Sequence, residues 1–440
     1  MIMTIKRPFR IRTITVFVTL THDDFHVDES TTPPVGDTPT PKVYDKLDEC
    51  SSILRKLETN LINSGYEVQT VRISTNPFGE WLTEDECVGN ESDPPHKSAR
   101  VDTDAAIRRK LQLLNRLLDD HRINFFSCGP STNPLHTIEI CPQIIESSVK
   151  FSCSAKIDCG DISGARAAAA CIQTISTLGN NTNANHLKGG LGNFRFCAAS
   201  CVDTVPFFPA AKSPTNEASY SFAIGLENGG FARELLLGAK SISNIKSVFH
   251  SEMRKELLPI QEVCLAFVRD VKYSIEYLGI DTSLNPSLDE GGSVADAIEC
   301  LDEVRGAFGG TGSLAAAAAI TTSLQSIPDI KTTGYSGLML PVLEDRRLAE
   351  LGTTTISTDR ITIQKLLCIS SVCGVGIDTV PIPGDVSTES LSSLILDMAA
   401  LAGRWNKPLS CRVFPVPGGN AGEETTFDSP YMCNSRVFDL

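Results

Sequence analysis

Histidine is scarce in this chain, seven among 440 residues, and the seven are scattered without metal-ligand spacing. The 15 cysteines contain no Cys-x-x-Cys pair and no Cys/His ladder, which excludes a zinc site of the usual form. Long apolar runs are missing as well: the alanine-rich stretches 165–171 and 314–319 are too short and too weakly apolar to span a bilayer. Positive charge is in deficit, with a net charge of −14. Neutralising phosphates needs clustered Lys and Arg, so neither nucleic acid nor a membrane surface is expected as a partner. A small anionic substrate stays compatible through local charge. An odd number of cysteines without an evident secretory signal points to a reducing compartment, and a cytoplasmic location is expected.

What is present is ordinary for a globular chain: 41% apolar and 21% charged residues. The length suits about three domains of common size or one large α/β barrel. Strand and helix patterns alternate. Strands are expected over 12–20, 66–73, 123–128, 149–157, 193–201, 221–226, before Asp281, over 334–340, around Asp378 and over 409–414. Helices are expected over 45–64, 104–120, 163–178 (capped by Ser163), 242–271 with a break near Pro259, from about Gly312, over 357–367 and over 389–405. Two polar segments, 21–44 and 83–100, read as flexible surface insertions. Repeated strand, crossover helix and strand imply parallel pairing, and about ten strands favour closure over an open sheet.

A near-repeat stands out. Asp203-Thr204-Val205-Pro206 and Asp378-Thr379-Val380-Pro381 each follow a run of small apolar residues. Both runs read as strands covered on two faces, ending in a carboxylate and leaving the sheet through a rigid proline loop. A carboxylate at a strand end is how an α/β enzyme commonly aims chemistry into a pocket, although each Asp could equally cap a turn.

Several further segments carry a family resemblance: Asn193-Phe194-Arg195-Phe196, Pro206 to Ala211, Gly225-Leu226-Glu227, Asp378 to Asp385, and Phe427-Asp428-Ser429-Pro430-Tyr431. Together they resemble the DUF711 family, related to UPF0210 proteins and grouped with the pyruvate formate-lyase-like barrels. The resemblance runs nearly end to end. It implies a single domain over 1–440, a closed α/β barrel of ten strands in two parallel halves set antiparallel, with a loop entering the barrel. It assigns no activity, and fold alone does not supply one. Glycyl-radical enzymes of this fold carry an Arg-Val-x-Gly-aromatic motif; here Arg412-Val413-Phe414-Pro415 lacks that register, so no glycyl radical is expected. Bacterial proteins resembling this chain often accompany a small ACT-type regulatory protein, which implies a metabolite sensor as a second class.

The residues themselves suggest carboxylate chemistry. Glu227, beside Asn228-Gly229-Gly230 at a strand end, and Asp378 are expected as acid and base, with Asp203 in support and Asp281 nearby. Converging carboxylates would also leave a divalent cation open as a cofactor, with no cofactor otherwise indicated. Arg195, read as mid-strand, must pair structurally or face a cavity, where it could clamp an anion. Asn193, Pro209, Asp385 and Asp428 are placed with it as substrate-binding residues. The turn holding Gly310, Thr311 and Ser313 could cradle an anion at a helix start, although it matches neither a P-loop nor a dinucleotide fingerprint. Cys197 and Cys201 read as structural thiols. The expected function is a non-radical lyase, isomerase or hydrolase acting on a small polar or anionic metabolite. A homo-oligomer is compatible with the chain, but no interface stripe is legible.

Overall fold

The computed structural model describes residues 7–27, 40–83, 97–181, 184–215, 218–271, 274–354, 356 and 359–440. Of the expected insertions over 21–44 and 83–100, residues 28–39 and 84–96 lie outside the described residues; His22–Phe25 forms a 3-10 turn, and the helices Val43–Asn63 and Lys97–Asp120 begin within the two expected insertions. Nine strands form one sheet: β1 (Arg10–Val18), β2 (Val71–Thr75), β3 (Phe126–Ser131), β4 (Phe151–Lys156), β5 (Phe196–Ser200), β6 (Tyr220–Glu227), β7 (Ile275–Asp281), β8 (Gly376–Pro383) and β9 (Leu409–Val416). Their order is β7-β6-β1-β2-β3-β4-β5-β9-β8. β1 to β5 run parallel to one another; β6 and β9 pair antiparallel with the two flanks of that group, and β7 and β8 run parallel to β6 and β9.

The ladder is open at β7 and β8, and the tenth strand expected over 334–340 is absent. Gly334 and Ser336 take φ values of +68° and +41°, which interrupts extended backbone. Gly334 is required as glycine, because a Cβ there would lie 2.1 Å from a carboxylate oxygen of Asp281. The segment touches both edges only through isolated bridges, Ile280↔Thr332 and Leu284↔Leu338 on one side and Pro341↔Asp378 on the other.

Each strand separates two environments by its period of two. Ile14, Val16, Ile73, Phe126, Phe151, Phe196 and Cys411 face the helices and join a hydrophobic core drawing residues from Phe9 to Phe438. The other face carries Thr13, Thr15, Ser74, Ser127, Ser152 and Ser154, all buried. Those residues are small because the loop after β5 lies on them. Thr15 Oγ1 donates to Pro206 O at 2.7 Å and Ser127 Oγ to Ala211 O at 2.9 Å, while Phe207 lies against Gly225.

Three local expectations change. The helix Ile245–Asp270 runs unbroken through Pro259. A mid-helix proline costs about 3 kcal/mol, but Phe249, Met253, Leu257, Ile260 and Cys264 bury one continuous face, each large side chain contributing about 1.5–3 kcal/mol. The helix Ile162–Thr177 is capped by Asp161, whose carboxylate accepts from Gly164 N at 2.8 Å, rather than by Ser163. Arg195 closes a 3-10 segment just before β5 instead of sitting inside a strand.

Candidate functional site

A cavity of about 870 Å³ lies where the first residues of β1 to β5 meet the middle of β8 and β9. Its wall gathers Arg12, Arg72, Arg412, Glu344 and Asp378, with Phe207 and Phe208 from the loop after β5 and Tyr431 from the C-terminal segment.

Sheet register explains the first ion pairs. Arg10 stands opposite Glu227 across β1 and β6, and a bulge between Ile11 and Thr13 makes Arg12 the extra residue of β1. Both guanidinium groups therefore reach one carboxylate: Arg10 and Arg12 pair with Glu227, and Gln69 Nε2 donates to its Oε1 at 2.7 Å. A second bulge, between Asp378 and Val380, coincides with a positive φ at Thr379 and leaves Asp378 directly opposite Arg412. Arg412 Nε donates to Asp378 Oδ1 at 2.6 Å and its Nη2 to Glu344 Oε1 at 2.8 Å. Glu344 lies 3.8 Å from Arg12. The result is an alternating series, Arg10, Glu227, Arg12, Glu344, Arg412, Asp378, in which three cations meet three carboxylates.

Burial sets the proton affinities. The Arg412 guanidinium loses hydration, yet Asp378 and Glu344 hold its pKa above the ordinary value. Burial pushes the Glu344 carboxyl up, against the pull of Arg412 and Arg12. The Tyr335 phenol, on the same wall, is raised by burial and donates to Ser410 Oγ at 3.3 Å.

Arg72 stands apart from the series. It is 8% exposed, and its Nε donates to Thr70 Oγ1 at 3.0 Å. Among the described residues, no carboxylate pairs with it and nothing accepts from its terminal nitrogens. Its guanidinium carbon lies 5.0 Å from the Phe125 ring centre and 5.2 Å from that of Phe208. Burial, then Arg12 and Arg412, push its pKa down to about 9, with Glu344 opposing. Contacts with ring faces return about 1–2 kcal/mol each, against several kcal/mol for burying an unpaired ion.

Four of the expected site residues lie on this wall: Asp378, Arg195, Pro209 and the exposed Asp428 at the rim. Arg195 donates to the carbonyls of Ile145, Ser148 and Phe151 at 2.6–2.9 Å. Glu227 is buried behind Arg12 and adds no surface to the cavity. Asp203 is placed elsewhere: its side chain is 86% exposed, 3.7 Å from Lys212. Asn193 is buried and donates to Ile172 O, and Asp385 is exposed beyond β8. Gly310, Thr311 and Ser313 form a turn away from the cavity, in which Gly310 N donates to Ala307 O, Ser313 N to Gly310 O and the neighbouring Gly309 N to Ser313 Oγ. Asp281 receives backbone donors from Ser283, Tyr335 and Ser336 and is structural. Cys197 is buried while Cys201 is exposed.

Sequence reasoning missed Arg12, Arg72, Arg412 and Glu344. For the three arginines a signal existed, a charge inside an apolar strand pattern. Glu344 ends a 3-10 turn, Val342–Glu344, with no local signal. Among the described residues no group of three His, Cys, Asp or Glu is placed to hold a metal ion, and no described helix is long and apolar enough to cross a membrane.

Comparison with known proteins matches residues 2–429 to the model of a family described as "Uncharacterised ACR (DUF711)". A UPF0210 protein of Corynebacterium glutamicum is 25% identical over 450 residues, covering 95% of this chain and 85% of that protein. A UPF0210 protein of Caldicellulosiruptor saccharolyticus is 30% identical over 260 residues, 58% of this chain and 55% of the relative. One from Methanopyrus kandleri is 28% identical over 225 residues, 50% and 48% of the two chains. The chain thus spans about half the length of these last two relatives. Among solved structures, the anaerobic ribonucleotide reductase from Thermotoga maritima in complex with dATP and CTP is similar at a TM-score of 0.41 and 9% identity, covering 92% of this chain and 74% of that one. By the match over nearly its whole length, the chain belongs to the DUF711 family.

Proposed function

We propose that the cavity binds a small anionic metabolite on Arg72 and converts it by non-radical proton transfer, in a lyase, isomerase or hydrolase reaction. The observation that carries this reading is the buried Arg72 guanidinium on a cavity wall, whose terminal nitrogens have no acceptor among the described residues. An anion would supply the missing partner in bidentate geometry. Glu344 and Asp378 are the carboxylates at hand. Glu344, raised by burial, suits a group that takes and returns a proton, and Arg412 fixes the two carboxylates relative to each other. Glu227 orients Arg12 in this reading and does not touch substrate. In the same reading β1 to β9 and the 332–341 segment together make a ten-stranded barrel of the pyruvate formate-lyase-like type, with the loop after β5 inside it; the three isolated bridges support this.

A binding-only role as a metabolite sensor is favoured by one observation: both cavity carboxylates already sit on Arg412. Incubating the wild type, Glu344→Gln and Arg72→Leu with a small-metabolite extract, read by mass spectrometry, separates the two. The expected result is an anion whose retention needs Arg72 and whose depletion needs Glu344. An anion retained but never altered by the wild type would favour the sensor, and no Arg72-dependent retention would sink both.

A further inference from the structure

We infer that the cavity selects a monoanion, a carboxylate carried on an apolar body, over a phosphate dianion. This rests on the anion-site reading above and adds the charge and shape of the ligand. The six-membered ionic series is balanced, three guanidinium groups against three carboxylates, and the exposed Asp289 and Glu67 meet Arg10 only at its solvent end. Arg72 then contributes one uncompensated positive charge, and one carboxylate neutralises it.

Other charges near the cavity do not change that count. Lys150, on the wall, is held 2.6 Å from Asp119, and the positive charge of Arg195, whose hydrogen bonds go to neutral carbonyls, is set against the negative charge of Asp428 at the rim. Burial together with Arg195 pushes the His186 ring down, toward its neutral form. A dianion would leave one negative charge unmatched beside Glu344, whose burial leaves it poorly hydrated, so that like charges repel. Its entry must therefore bring a proton, either onto the phosphate itself, whose second pKa is about 6, or onto Glu344, which faces Arg412, Asp378, Arg12 and Arg72 and whose proton affinity burial raises.

Shape follows from the rest of the wall. Arg72 lies between the Phe125 and Phe208 rings, and Phe207, Met339, Tyr431 and Met432 supply apolar surface beyond it. Phe194 stacks on Tyr431 with ring centres 6.3 Å apart and also lies under Arg412. A head group on Arg72 thus carries its body along aromatic and thioether surface.

Benzoate, phenyl phosphate and benzamide test charge on a constant ring. Titration calorimetry at neutral pH, in two buffers of different protonation enthalpy, gives affinity and proton uptake together. The expected result is benzoate binding without net proton uptake, roughly ten- to a hundredfold tighter than phenyl phosphate, with benzamide silent. Phenyl phosphate, where it binds, should take up close to one proton, and Glu344→Gln should narrow the preference between the two anions. Arg72→Leu, with its fold checked by circular dichroism, should lose benzoate binding roughly ten- to a hundredfold. Phenyl phosphate binding as tightly as benzoate, through Arg72 and without proton uptake, would overturn the monoanion inference and leave the anion site standing. Failure of both anions to bind the wild type, or binding indifferent to Arg72, would overturn the site as well.

Discussion

Arg72 and Arg195 begin alike and end as opposites. Both stand at the start of strands in the parallel half, Arg72 buried and Arg195 half-buried, and burial lowers the pKa of each, to about 9 and about 10. Arg195 meets three carbonyl oxygens, which would otherwise lack those donors. Arg72 meets a threonine hydroxyl and two ring faces. The difference teaches that a buried guanidinium marks a binding site only when its acceptors are missing. One residue ties the stretch 145–151 to the start of β5; the other is a standing cost to the ligand-free fold, characteristic of functional positions.

That contrast can be broken by replacing each arginine in turn. Arg195→Met should destabilise the chain by about 3–5 kcal/mol, since three carbonyls lose charged donors; urea unfolding followed by circular dichroism measures it. A loss below about 1 kcal/mol would erase the distinction. Arg72→Met should move the other way and stabilise the ligand-free chain by about 1–3 kcal/mol, because an unpaired ion gives way to a side chain at home in the interior. Destabilisation by Arg72→Met would mean that its buried charge has a partner in the fold.

The smallest effect is a matter of pH. At neutral pH Arg72 is charged both folded and unfolded, so its penalty is constant. Its folded pKa is depressed to about 9 from an unfolded 12.5. As pH rises through about 9 the folded chain releases a proton that the unfolded chain keeps, and wild-type stability increases relative to Arg72→Met. The gap between the two should shrink by about 1 kcal/mol between neutral pH and pH 10. A gap independent of pH would place the folded pKa of Arg72 near its unfolded value.

Much of the sheet is legible in the sequence because its outer face alternates cleanly, as in Ile14 and Val16 or Phe151 and Cys153. The inner face is harder. It is lined by Ser and Thr, and what covers it is a loop from a distant part of the chain. Asp203 and Asp378 show the limit of local reading. They share the sequence Asp-Thr-Val-Pro, and both valines are fully buried. Only Asp378 continues a strand, with Arg412 opposite; Asp203 follows the end of β5, beyond a left-handed turn at Cys201. Pro381 and Pro383 did not force the chain out of the sheet, because β8 is an edge strand of the ladder and tolerates missing donors. Glu344 owes its place wholly to tertiary contacts, which no short window contains.

The string of alternating charges has one end in solvent, where Arg10 also meets Asp289, 67% exposed, and lies 3.9 Å from Glu67. Bulk salt and nearby surface chemistry act at that outer end, while the inner end at Asp378 is shielded from ions by the surrounding protein. Salt that screens Asp289 and Glu67 therefore loosens the outer link, at Arg10, before the links at Glu344 and Asp378.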